Sequence, residues 1–162
     1  MKVLAIDPGY GRIGFAVLLK EGGKTNLLFS ECFETEKETV FEERLKKIGD
    51  RIRDIAQAHQ PDCAAIERLF FSKNKKTALQ TAEVRGVCIY TTKEYNLTIA
   101  EYTPNQVKNA ITGNSNATKS DVIRMVPRLI TLDSRKRHDD EYDAIAIGIT
   151  HLVSVPYLAQ QQ

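Results

Sequence analysis

Residues 2–11 read KVLAIDPGYG. Val3 to Ile6 is an apolar run of strand-forming residues that ends on a carboxylate, Asp7, before Pro8-Gly9 breaks any strand or helix. The stretch poses one question: why does a charge stand where a strand leaves the core? Taken alone, Asp beside Pro and Gly is ordinary turn chemistry. If Asp7 instead belongs to a set of acids gathered round a metal ion, its partners must come from elements that reach the same place.

Working outward, Ile13, Phe15, Val17 and Leu19 alternate with smaller or flanking residues, Glu21-Gly22-Gly23-Lys24 forms a turn, and TNLLFSECF follows. These three runs predict an antiparallel meander. Phe41, Leu45, Ile48, Ile52 and Ile55 then recur at spacings of four, three, four and three, which predicts an amphipathic helix. Pro61 opens DCAAIE, a strand that lies beyond a helix and so returns parallel to an earlier one by a right-handed crossover. Its ending AAIE echoes the LAID of the first strand. As parallel neighbours, those strands set Asp7 and Glu67 roughly 5 Å apart in the hydrogen-bonding direction, at the carboxyl edge where open α/β sheets place their sites. A helix from about Lys76 to Tyr95, a strand near LTIAEY and helices near 104–110 and 119–130 come next. Pro127 stands late in the last of these, where a proline is not expected. The order β-β-β-α-β-α-β-α predicts an α/β, ribonuclease H-like fold: a mixed five-stranded sheet, three antiparallel strands then parallel strands, flanked by helices.

HDDEYDAIAIGITHL reads as the final helix, with Asp139 as its N-cap. Asp140 and Asp143, three residues apart, share one face about 5 to 6 Å apart at Cβ. Ala144 and Ile147 continue that face, while Ile145, Ile149 and Leu152 form another stripe able to pack on the sheet. Asp139 with Asp143 is also allowed, and any first helical turn favours acids through the helix dipole, so periodicity leaves the choice open. His151 lies two turns beyond Asp143, about 12 Å along the axis, and reads as a packing or surface residue. Close pairs among four such acids repel by about 4 kcal/mol each at an effective dielectric near 20. Two hard divalent ions per site would relieve that repulsion; Mg²⁺ suits oxygen-only ligands and Mn²⁺ is able to substitute.

A chain of 162 residues is most simply one domain, here residues 1–158 with a short polar tail at 159–162. The early apolar run is too short for a signal peptide or membrane span, so a soluble, cytoplasmic protein is expected. Cys32, Cys63 and Cys88 have neither the number nor the spacing of a disulfide framework or zinc site and read as reduced thiols. The net charge is only +2, yet residues 68–137 hold thirteen Lys and Arg against five Asp and Glu. That segment points to a polyanion partner, nucleic acid above all.

The stretches IDPGYGRIGFAVL, AIERLFFSKN, AEVRG, QVKNAITGNSNATKSDV and DEYDAIAIGITH, in this order and spacing, resemble RuvC-type Holliday-junction resolvases over nearly the whole chain. The resemblance implies catalytic, metal-holding acids at Asp7, Glu67, Asp140 and Asp143, choosing Asp140 over Asp139. It implies junction-contacting bases at Lys108 and Lys119, and an aromatic that stacks on an unpaired base at Phe70. It further implies a homodimer that nicks two opposing strands of a four-way DNA junction symmetrically, in partnership with a branch-migration motor of the RuvA and RuvB type. The chain departs from that pattern by carrying Glu141 and Tyr142 where the family usually has small residues, with Asp139 as an extra acid.

Around Phe70, Lys73, Lys75 and Lys76 make a basic loop suited to stacking on opened bases; Phe71 reads as core. Arg135, Lys136 and Arg137, just ahead of two proposed ligands, are expected to contact phosphate. Lys119 falls in a first helical turn, where a base is unfavourable and a DNA role is favoured. Two other readings stand beside this one. The YqgF-like nucleases, linked to ribosomal RNA maturation, open with a similar Asp strand and G-x-R-I-G-like segment. A non-catalytic junction-binding module would use the acids structurally.

Overall fold

The computed structural model describes residues 1–36, 38–68 and 75–158, with the backbone alone for 75–77 and 156–158. Strand β1, Lys2–Asp7, is the centre of the sheet, and Val3, Leu4, Ala5 and Ile6 are each fully buried. It pairs antiparallel with β2, Arg12–Glu21, which pairs antiparallel with β3, Lys24–Glu34. The β2–β3 connection is a two-residue turn with Gly22 and Gly23 at φ of 56° and 79°, a conformation that matches the strand twist and that glycine reaches without strain. On the other side β1 pairs parallel with β4, Cys63–Glu67, and β4 parallel with β5, Thr98–Tyr102, giving the order β3-β2-β1-β4-β5. This is the mixed five-stranded sheet expected from the sequence.

Two helices, α1 (Phe41–His59) and α2 (Lys75–Glu94), cover one face. Ile48, Ile52 and Ile55 of α1 and Val84 and Cys88 of α2 pack there against Leu4, Ile6, Phe15, Val17 and Ile66. The opposite face carries α5, Asp139–Leu158, backed by α3 (Pro104–Thr112) and α4 (Lys119–Leu129). Val3, Ala5, Ala16, Leu18 and Ala65 meet Ala144, Ile145, Ala146, Ile147, Ile149 and Leu152 in that layer. The faces expected for α5, Ala144 with Ile147 and Ile145 with Ile149 and Leu152, understate its burial. Residues 144–152 are buried without interruption, including Thr150 and His151, because α5 lies between the sheet and two other helices rather than at the surface.

Pro127 lies within α4, two residues before it ends. The missing N–H therefore costs one bond in a last turn that Ile130 N–H closes onto the Val126 carbonyl at 3.2 Å. No helix among the described residues is long and apolar enough to cross a membrane. Cys32, Cys63 and Cys88 are free thiols.

Small residues let α5 approach the sheet. Gly14 pairs with Asp7 across β1 and β2, and a Cβ on Gly14 would overlap the Asp140 carbonyl oxygen. Gly148 is likewise closed in by Leu18 and Ala5. Gly14→Ala is therefore expected to destabilise the chain by about 1–3 kcal/mol as overpacking, which is roughly 3–10 °C in Tm. Gly11→Ala, where a Cβ meets nothing within 4 Å, should leave Tm near the wild-type value. Thermal unfolding of the two variants checks the contrast, and equal melting would contradict the close approach.

Candidate active site

The pleat of the sheet decides where the first two acids point. Along β1, Val3 and Ala5 face α5 while Leu4 and Ile6 face α1 and α2, so Asp7 falls on the α5 side. Along β4, Cys63 and Ala65 face α5 and Ile66 faces away, so Glu67 falls on that side too. The parallel register matches Ile6 with Ile66, and the two acids follow as neighbours at the carboxyl ends of their strands.

The third contribution is the start of α5. Asp139 is its first helical residue and not its cap, which corrects the sequence expectation by one position. The His138 carbonyl accepts from Glu141 N–H at 3.1 Å and Tyr142 N–H at 3.4 Å, and Glu141 reaches back to accept from His138 N–H at 3.4 Å. This is the reciprocal half of a capping box. Asp140 and Asp143 then sit in the first turns, the Asp140 backbone lying against Gly14 opposite Asp7.

Asp7, Glu67 and Asp143 line a single cavity of about 200 Å³ together with Lys108, Lys119, Pro104, Val107 and Val122. Asp140 is not part of that lining, yet its charge acts on Asp7. Thr118 caps α4, accepting from Asp121 N–H at 3.2 Å and donating to Asp121 Oδ2 at 2.7 Å. That cap fixes Lys119 as the first residue of α4, at the mouth of the cavity. Lys108 reaches it from α3, whose own cap is Thr103.

The electrostatics are those of acids held where their charge is costly. Burial pushes Asp7 well above the usual carboxylate range, and the charges of Glu67, Asp143 and Asp140 push it further. Burial and Asp143 raise Glu67 to about 7. Asp143 is also raised, because its burial outweighs the downward pull of Lys119. Partial burial alone would lower the Lys119 pKa, but its hydrogen bond to Asp143 and the charges of Asp143, Asp139 and Asp140 reverse the sign and raise it.

Two basic side chains answer the two α5 acids. Lys119 Nζ lies 2.7 Å from Asp143 and 3.8 Å from the largely exposed Asp139, and Arg12 Nε lies 3.5 Å from Asp140. Cys32 Sγ donates to Asp140 at 3.7 Å; burial and the Asp140 charge hold this thiol up at about 11, so it stays protonated. Among the described residues no three His, Cys, Asp or Glu side chains are drawn into a ready coordination cage. Lys119 and Arg12 take up carboxylate oxygens that such a cage would use.

Of the basic run ahead of α5, two members have other work. Arg137 has a side chain only 1% exposed and pairs with Asp133 at 2.9 Å. Arg135 pairs with the buried Glu141 at 2.7 Å and donates to the Ser30 carbonyl at 2.7 Å. Ser30 Oγ also donates to Glu141, at 3.0 Å. These contacts form an internal network that ties the 133–138 segment and α5 to β3, and they leave the Arg137 side chain, expected to contact phosphate, buried. Lys136 is exposed. Glu141 is turned into that network and away from the cavity. His151, as expected, is packing: its Nδ1 is 2.9 Å from Tyr102 Oη and its Nε2 3.2 Å from Cys63 Sγ. Phe70, Phe71 and Lys73 lie outside the described residues, and Lys75 and Lys76 open α2.

Sequence reasoning passed over Arg12 and Gly14. Gly14 carries a signal in the hairpin register that sets it opposite Asp7; Arg12 is legible only once α5 is docked.

Sheet order, acids at the ends of β1 and β4, and a helix presenting two more define a ribonuclease H-like protein with an acidic site. The profile of the crossover junction endodeoxyribonuclease RuvC matches residues 3–151. The chain belongs to the RuvC family. It is 40% identical over 151 residues to a crossover junction endodeoxyribonuclease RuvC from Petrotoga mobilis, with 93% of each chain covered. It is 42% identical over 148 residues to the one from Thermosipho melanesiensis, covering 91% of this chain and 94% of that one. Among solved structures, Thermus thermophilus RuvC in complex with Holliday junction substrate superposes with a TM-score of 0.89 at 29% identity, over 96% of this chain and 94% of that chain.

The raised Glu67 fixes a pH signature. Between the ordinary Glu value of 4.5 and about 7, the folded chain keeps a proton that the unfolded chain has released, so stability falls as pH rises through this window. In EDTA at pH 8, Glu67→Gln should therefore melt higher than wild type by on the order of 3 kcal/mol, or roughly 5–10 °C, with the gap closing near pH 4.5. A gap that does not change with pH contradicts the assignment.

Proposed function

We propose that this chain resolves four-way DNA junctions, cutting two opposing strands symmetrically in a metal-dependent reaction. The observation that carries this reading is the meeting of Asp7, Glu67 and Asp143 with Lys108 and Lys119 in one cavity, with Asp140 within electrostatic reach. The donor set fits a hard divalent cation: every donor is a carboxylate oxygen, and two of the acids are held where they would otherwise take up protons. Asp7, Glu67, Asp140 and Asp143 would hold two Mg²⁺ ions, with Mn²⁺ able to replace them. When bound, such ions supply an acidified water and neutralise charge at the departing oxygen.

The chain's own residues do the rest. The acids fix where positive charge gathers at the sheet edge, and that charge, not the carboxylates, places the reacting phosphate. Lys108 and Lys119 offset phosphate charge as it builds up, the electrostatic share of phosphoryl transfer. Val107, Val122 and Pro104 form the cavity wall and limit water there, which strengthens each charge interaction. Lys136, Lys73, Lys75 and Lys76 belong to the wider DNA-binding surface, with Phe70 stacking on an opened base. A substrate with two-fold symmetry and two cuts calls for two copies of the site, hence a homodimer, working with a branch-migration motor of the RuvA and RuvB type.

Asp7→Asn and Asp143→Asn are expected to keep junction affinity within a fewfold while lowering cleavage in Mg²⁺ by at least about a thousandfold. Gel-shift and single-turnover cleavage assays on a four-way junction, duplex DNA and structured RNA check this. A variant that still cuts removes the acids from the chemistry, and equal affinity for junction and duplex removes the selectivity.

A further inference from the structure

Arg12 has no part in the roles above, although it touches an acid of the site. We propose that Arg12 is an additional phosphate-binding residue of the active site, held on Asp140 until a divalent ion takes that carboxylate and then released to the DNA strand. This rests on the reading of the site as a metal-dependent junction nuclease.

The placement is specific. Arg12 opens β2, two residues before the Gly14 that pairs with Asp7, so it stands at the acid end of the sheet. β2 and β4 flank β1 on opposite sides. Lys108 and Lys119 approach from α3 and α4, helices that follow β5, whereas Arg12 approaches from β2. Arg12 therefore adds a cation from β2, on Asp140, to those that α3 and α4 set beside Asp7, Glu67 and Asp143, and each of them draws a polyanionic strand to the sheet edge.

The bond that holds Arg12 is also the kind that gives way. Its side chain is 48% exposed, and the contact to Asp140 Oδ2 is an ion pair at 3.5 Å without hydrogen-bond geometry. With one partner half exposed and the contact long, such a pair contributes little. Arg135 and Arg137 differ: each is fastened to Glu141 or Asp133 at 2.7 to 2.9 Å. A divalent ion binds carboxylate oxygens directly and displaces a loosely held guanidinium. The freed planar fork is well matched to a phosphate.

The test is the salt dependence of junction binding by the full chain, measured by fluorescence anisotropy in EDTA and in Ca²⁺, a hard oxygen-seeking ion. Wild type, Arg12→Gln and Arg12→Lys are compared. In Ca²⁺ the plot of log affinity against log salt should be shallower for Arg12→Gln by about 0.9, the share of one phosphate contact, with Arg12→Lys keeping the wild-type slope. In EDTA wild type and Arg12→Gln should coincide. Equal slopes in Ca²⁺ overturn the proposal, and a slope loss of the same size in EDTA overturns the exchange on which it depends. A wild type that binds junction and duplex alike, or fails to cut in Mg²⁺, would instead indict the reading of the site itself.

Discussion

Asp7, Glu67 and Asp143 line one cavity where β1, β4 and the first turns of α5 converge, with the Asp140 charge within reach, and their mutual repulsion is the condition to which the surrounding structure responds. Asp7 carries the greatest burden, being enclosed by protein and facing three other acids. Nothing about folding requires this. A polar turn residue would end β1 as well as Asp7 does, and would leave no charge to be offset. Such a grouping holds the carboxyls of Asp7 and Glu67 above their ordinary range, and any positive charge that reaches them relieves that cost.

The rest of the fold serves that convergence. Parallel pairing of β1 with β4 sets two acids side by side, and the alternation of side chains turns both toward α5. Gly14 and Gly148 remove the bulk that would keep α5 away. Glu141, buried among Ser30, Arg135 and His138, fastens the start of α5 to β3. The basic residues consequently divide into two groups. Arg135 and Arg137 are engaged in holding the start of the helix, while Lys108 and Lys119 line the cavity with the acids and Arg12 pairs with Asp140 beside it.

Much of this was legible in the chain itself. The repeated pattern of an apolar strand ending in an acid, in LAID and AAIE, foretold the neighbouring Asp7 and Glu67, because parallel strands bring like ends together. The spacing of Phe41, Leu45, Ile48, Ile52 and Ile55 foretold α1. Other features were hidden for physical reasons. Arg135 and Arg137 look like free surface charge in a polar loop, since their partners Ser30 and Glu141 are remote or on another element. Local sequence favours Asp139 as the cap of α5, yet the helix starts on Asp139 itself, with His138 ahead of it donating its N–H to the Glu141 side chain. The burial of α5 on all sides depends on how α3 and α4 fold back, which no local periodicity records.

The most direct measurement is the anomalous scattering of crystals of the protein soaked in Mn²⁺. The account predicts metal density bounded by Asp7, Glu67, Asp140 and Asp143, with Lys119 moved off Asp143. Density elsewhere on the molecule, or a saturating soak that leaves the Lys119–Asp143 pair intact at 2.7 Å with no metal beside Asp7, would contradict it.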